Sequence, residues 1–192
     1  MKRLFSILTV LACSVSLSAQ NLTILHMNDT HSHIEPERNG SLAGHGGVIE
    51  QAAYVDSVRT AEGAANVMLL HAGDFSQGTS YFTELKGDLE VDLINAMQYD
   101  AVTLGNHEFD NGIEEIARRI RNLDVPVVCA NYDFTGSPLE SLVSPYVVVK
   151  KAGKRIGVIG LLTDVSTVVD RSVSDKMKYL SPIESANRYA EY

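Results

Sequence analysis

The sequence predicts an α/β fold: a parallel sheet flanked by helices. Two observations lead there. Short apolar runs alternate with amphipathic stretches at helical spacing between residues 22 and 131, the order expected of a parallel sheet with helices packed on it. Three of those runs also end in dense polar clusters: Asn28-Asp29-Thr30-His31, Gly73-Asp74, and Gly105-Asn106-His107-Glu108-Phe109-Asp110. Sheets of this kind gather ligands beyond the carboxyl ends of their strands. The clusters fall where a site belongs.

Taken in order, the run 22–26 reads as the first strand and leads to Asp29. A polar, Gly-rich loop follows over 30–47, and His33 and His45 in it are expected to be solvated. Val48, Ala52, Val55 and Arg59 step at helical spacing, so 48–62 is a helix closed by Gly63. Val67-Met68-Leu69-Leu70 is too continuously apolar for a half-exposed strand and predicts a buried one. Val91, Ile94, Asn95 and Met97 mark a second helix, 101–104 a third strand, and 111–123 a third helix with Ile113, Ile116, Ala117 and Ile120 on one face. Pro126-Val127-Val128-Cys129 gives a fourth strand. The pattern then changes: 146–150 and 155–161 flank Ala152-Gly153-Lys154 and predict an antiparallel hairpin. Ser181-Pro182-Ile183-Glu184 opens a last helix with a Ser cap, Pro at the first position and Glu three after the cap. With no strand after that helix, the chain reads as truncated before the last strands of its sheet.

Composition narrows the class. At 45% hydrophobic and 21% charged residues, the 192-residue chain is that of an ordinary globular protein. Lys2 and Arg3, an apolar stretch from Leu4 to Ala12, and Ser16-Leu17-Ser18-Ala19 form an export signal over residues 1–19, too short for a membrane span. Its removal leaves 14 basic against 24 acidic residues, a net charge of −10. That acidity argues against holding a nucleic-acid polymer by its backbone, but not against one small phosphorylated ligand at a local metal site. Cys129 is the only cysteine beyond the signal, so no internal disulfide is expected. The expected location is periplasmic, cell-surface or secreted. A rival reading makes Cys13 a lipidated first residue, against which Leu11 is a poor fit.

The polar clusters suit a pair of metal ions. Asp29 and His31, two apart on a loop leaving a strand, can reach one ion. Oxygen and imidazole together favour zinc, manganese, iron or cobalt over magnesium or calcium. Asp74 has two carboxylate oxygens and can bridge two ions, while Asn106 adds a neutral oxygen to the second. Two divalent ions about 3.5–4 Å apart are a known device for phosphoester hydrolysis. His107 would then stabilise developing charge or protonate the leaving oxygen, with Asp110 orienting its ring. Plainer readings exist for each residue alone. Asp29 and Asp74 could be loop carboxylates, Asp110 or Asn111 could cap the following helix, and His26 and His71 belong to the sheet. The joint recurrence of the clusters carries the metal reading.

Together, Asn28-Asp29-Thr30-His31, Gly73-Asp74 with Gln77-Gly78-Thr79, and Gly105 to Asp110 resemble the calcineurin-like metallophosphoesterases, most of all the secreted 5′-nucleotidase and UDP-sugar hydrolase branch. The likeness runs from Leu22 to about Asp164. It implies a calcineurin-like metallophosphatase fold with sheet layers flanked by helices, and residues 20–192 as the N-terminal portion of that domain. It implies Asp29 and His31 on a first ion, Asp74 as the bridge, Asn106 on the second, and His107 with Asp110 as a catalytic dyad. Two divalent ions, zinc or manganese, are the implied cofactors and a nucleotide the implied substrate. The family's later Thr-His-x-Gly and Gly-His-x-(His or Gln) motifs do not occur, and no histidine follows His107. The family's substrate-binding domain is not in the chain either. The expectation is therefore an exported 5′-nucleotide phosphohydrolase whose 192 residues alone are inactive. The alternatives are a 2′,3′-cyclic nucleotide or UDP-sugar hydrolase, or an exported binding domain that has lost catalysis.

Overall fold

The computed structural model describes residues 21–191, so the expected export signal over 1–19, Cys13 included, lies outside the described residues. A five-stranded, all-parallel sheet forms the centre, in the order β1 (Thr23–Met27), β2 (Val67–His71), β3 (Ala101–Thr103), β4 (Val127–Val128), β6 (Val143–Ser144). Its helices are α1 (Val48–Glu62), α2 (Ser80–Leu85), α3 (Asp88–Met97) and α4 (Ile113–Ile120). Beyond β4 come β5 (Tyr132–Asp133), β7 (Tyr146–Lys151) and β8 (Lys154–Ile159), then α5 (Arg171–Ser174), β9 (Lys178–Tyr179) and α6 (Pro182–Ala190). The expected hairpin is present, as β7 paired antiparallel with β8. β5 and β9 form a second small antiparallel pair.

Burial follows strand position. Val67, Met68 and Leu69 of β2 and Ala101 and Val102 of β3 are fully covered, as a central parallel strand demands. β1 is an edge and alternates, with Ile24 and His26 outward. One face of the sheet is sealed: Val55 of α1, Ile94 of α3 and Ile116 of α4 pack with Leu69, Val102 and Val127 in a single core. The hairpin lies over the other face and leaves a cleft of about 260 Å³ lined by His26, Leu70, Thr103, Val128, Val158 and Leu161. Among the described residues no helix is long and apolar enough to cross a membrane.

Three departures from the sequence reading bear on the site. The segment Ser80–Leu85, to which the sequence assigned no element, is helix α2, which ends on Lys86 in the left-handed conformation. The two-residue strand β6, just before the hairpin and assigned no element from the sequence, extends the parallel sheet. The third helix is shorter than 111–123: a 3₁₀ turn over His107–Phe109 precedes it, and Gly112 with φ 87° is its N-cap. Neither Asp110 nor Asn111 caps α4, which leaves the Asp110 carboxylate to another partner.

Candidate metal centre

β1, β2 and β3 run parallel, so their carboxyl ends present the three polar clusters side by side. The loop after β1 continues the pairing beyond the strand itself. Asp29 N–H donates to Gly73 O (3.0 Å), His31 N–H to Asp74 O (3.1 Å) and Ser32 N–H to Phe75 O (3.1 Å). Asp29, His31, Ser32 and Asp74 all have φ between 45° and 54°. A left-handed non-glycine residue costs about 1–3 kcal/mol and collects at functional sites. The result is a compact donor set: one ligand atom each from Asp29, His31 and Asp74 lies within 4.8 Å of the others. His31 Nε2 is 3.5 Å from Asp29 Oδ1. A hydrogen bond from the Asn28 side chain, the largest influence, holds the Asp29 carboxyl below its ordinary pKa against desolvation, with His31 and Asp74 adding to the lowering.

The loops after β2 and β3 meet backbone to backbone, which only glycine allows. A Cβ on Gly73 would lie 2.4 Å from Gly105 N, and one on Gly105 would lie 2.1 Å from Asp74 Oδ1. Glu108 fixes this contact from beneath. Its carboxylate is buried (1% exposed); Oε2 accepts from Asp74 N–H (2.9 Å) and Gly105 N–H (2.6 Å). Oε1 accepts from Phe75 N–H (3.0 Å), Ser76 N–H (3.2 Å) and Ser76 Oγ (2.8 Å). Burial pushes the Glu108 pKa up, and these donors pull against it without cancelling it. Arg119, equally buried, donates from Nη1 to Ser76 Oγ (2.7 Å) and from Nη2 to Glu108 O.

His107 sits on the rim of this arrangement. Its backbone N–H donates to Asp74 Oδ1 (2.8 Å), and its ring Nδ1 is 2.9 Å from Asp110 Oδ2. The ring lies edge-on to that of His31, with centroids 5.0 Å apart. Partial burial disfavours its charged form, but Asp110, Asp74 and Glu108 outweigh that and raise its pKa above the ordinary 6.5. Asn106, half-buried, begins the 3₁₀ turn beside it. Among the described residues its side-chain amide takes no hydrogen bond, so it is available to a ligand. All six residues singled out from the sequence thus stand on adjoining strand-end loops.

Other histidines behave as structural groups. His71 is buried; its Nδ1 accepts from Gly73 N–H (3.1 Å), its Nε2 is 3.1 Å from Thr30 Oγ1, and its ring packs on Phe75 and Tyr99. Burial pushes its pKa down to about 4. His33 lies 3.6 Å from Glu37 on the surface. Sequence reasoning passed over Glu108 and Arg119. Arg119 left no signal in the sequence to set it apart from the neighbouring Arg118; only the structure shows it to be the buried one of the two.

Comparison with known proteins identifies the fold. A family model described as calcineurin-like phosphoesterase matches residues 22–188. A probable 5′-nucleotidase of Treponema pallidum is 41% identical over 173 residues, spanning 87% of this chain and 29% of that protein. The crystal structure of a 5′-nucleotidase precursor from Thermus thermophilus superposes with a TM-score of 0.77 at 36% identity, over 88% of this chain and 34% of that one. The NAD nucleotidase of Haemophilus influenzae superposes with a TM-score of 0.76 at 34% identity, over 88% and 31%. The chain therefore spans about a third of the length of these relatives.

Proposed function

The chain belongs to the calcineurin-like phosphoesterase family, and from that premise we propose that it contributes the first half of a metal-dependent active site that releases phosphate from 5′-nucleotides. The observation that carries this reading is the Asp29, His31 and Asp74 donor set next to the His107–Asp110 pair. Mixed carboxylate and imidazole donors suit zinc or manganese. Asp29 and His31 would hold a first ion, Asn106 would offer a neutral oxygen to a second, and Asp74, with two carboxylate oxygens, would serve both. Such ions, when bound, polarise the phosphoryl group and make bound water nucleophilic at neutral pH.

The remaining chemistry belongs to the chain. Asp110 accepts from His107 Nδ1 and turns Nε2 outward. The neighbouring carboxylates raise the proton affinity of the ring above its ordinary value, and in its protonated form Nε2 can donate a proton to the leaving oxygen or a hydrogen bond to the charge that develops. A nucleotide substrate is supported by relatives named as 5′-nucleotidases. Cyclic nucleotides and UDP-sugars are the competing phosphoesters. Residues 1–19 direct export, and residues 20–192 form the N-terminal portion of the catalytic domain. With no histidine after His107, the 192 residues hold the second ion weakly and turn over no substrate unaided.

The test compares this chain with a longer form that carries the later histidine motifs. The longer form should release phosphate from AMP with Zn or Mn and lose activity to EDTA and to His107→Ala. The 192 residues should bind one ion by calorimetry and release none. Turnover that survives both EDTA and His107→Ala would sink the proposal.

A further inference from the structure

A small cavity lies behind the loop that carries His31, between α1, α3 and β2. It offers about 20 Å³ to a water-sized sphere, and Ser32, Gln51, His71, Glu90 and Tyr99 contribute to its lining. That volume is about one water molecule, since a site needs roughly 10–15 Å³ on this measure. Ser32 Oγ, Gln51 Oε1 and both carboxylate oxygens of Glu90 are buried there without a hydrogen-bond partner among the described residues. Ser32 is 1% and Glu90 4% exposed. A buried ionisable group left unpaired is costly, and here three polar side chains leave their valences open toward one hole.

We propose that this cavity is a buried binding site for a single ordered water, held by Ser32, Gln51 and Glu90. The donor count fits water. The orphaned atoms are mainly acceptors, and one water donates two hydrogen bonds, to Glu90 and to Gln51 Oε1, while accepting from the Ser32 hydroxyl. Three bonds is the usual complement of an internal water. The charge balance favours a neutral occupant over a cation. Arg119, itself buried, already lies in the electrostatic field of both Glu90 and Glu108. The Tyr99 hydroxyl is committed to Met27 and the His71 Nε2 to Thr30, so neither competes for the water. The water links α1 and α3 to Ser32, whose backbone continues directly from His31 and pairs with Phe75 and Thr79.

A high-resolution crystal structure of the wild-type chain tests this without any variant. The expected result is a density peak about 2.7–3.2 Å from Ser32 Oγ and Glu90. The peak should persist in Glu90→Gln, which keeps a polar group at the cavity, and vanish in Glu90→Leu, whose side chain fills the space. Three results overturn the proposal: an empty cavity, a Glu90 side chain turned away to pair with Arg119, or a peak ringed by oxygens at about 2.3–2.6 Å, the signature of a metal cation. Should Glu90→Leu fail to fold, Ser32→Ala supplies the second arm. It removes one of the three bonds and should lower the occupancy of the peak.

Discussion

Asp74 and Asp29 are brought to the same place by opposite means. Asp74 is fixed from the interior. The Glu108 carboxylate gathers the N–H groups of residues 74, 75, 76 and 105, and the His107 N–H restrains Asp74 Oδ1. Asp29 is fixed from the surface. Its side chain is 57% exposed, and its side-chain interactions are with Asn28, His31 and Asp74 itself. The carboxylate assigned to bridge two ions is thus preorganised before any ion arrives, and the one assigned to a single ion keeps local freedom. Positions that must serve two centres at once tolerate less error, because a misplacement at one ion is repeated at the other.

The largest effect should follow from breaking the interior support. Glu108→Gln turns one accepting oxygen into an amide that faces N–H donors, strands at least two of them, and leaves Arg119 without its nearest buried counter-charge. Each stranded donor costs about 1–3 kcal/mol, and the loss of a carboxylate charge that acts on Arg119 adds to it. We expect a loss of about 5 kcal/mol in chemical denaturation, and weaker manganese binding by the fraction that stays folded. A loss below about 1 kcal/mol, the level of an exposed contact, would erase the distinction between the two carboxylates.

Next comes the rim. On the proposed reading, His107→Ala in a form extended with the family's later histidine motifs should lower kcat by about 10²–10⁴-fold, the range of a positioned acid–base group. Metal affinity should hold, because Asp74 is restrained by the backbone N–H of residue 107 and not by its ring. Parallel kinetics and metal titration separate the two. Loss of metal binding together with rate would move His107 from the rim into the metal shell.

What the sequence disclosed and what it hid divides along the same line. The parallel strands, the helix 48–62, the helix expected over 111–123 and found over 113–120, and the clusters at the strand ends were legible, because period and punctuation are local properties of the chain. Asp29, His31, Asp74, Asn106, His107 and Asp110 stood out because metal-binding residue types clustered after strands. Glu108 stood in the same turn and was set aside, because its work lies in contacts with residues 74–76, more than thirty positions away. The α2 helix and β6 escaped for a related reason. Neither has the length to show a period, and tertiary contacts place both.

A weaker pH effect should come from His71, which supports the loop after β2. Its native pKa of about 4 lies below the unfolded value of 6.5 because burial disfavours the charged ring. Between those values the unfolded chain binds a proton that the native state does not, so stability falls as pH drops from about 6.5 to about 4 and levels off below. The full span is about 3 kcal/mol. His71→Asn keeps an acceptor near the Gly73 N–H and should remove most of this acid dependence. Denaturation midpoints at neutral pH and at pH near 4.5 give the comparison, and an unchanged slope would assign the acid lability to other groups.

The smallest effect is the sharpest test of the contrast. Asn28→Ala deletes the side-chain hydrogen bond that is the largest influence on Asp29. Because that bond is solvent-exposed, water replaces it, and the cost should stay below about 1 kcal/mol. Asp29 should titrate closer to its ordinary value once the donor is gone, a change that NMR of the carboxyl can follow. The backbone bond from Asp29 N–H to Gly73 O survives the substitution, so the loop keeps its course while its carboxylate loosens. Metal affinity should then fall modestly with no change in fold. Equal losses from Asn28→Ala and Glu108→Gln would mean that both carboxylates depend on one shared framework, and that the exposure of Asp29 does not mark it as the adaptable ligand.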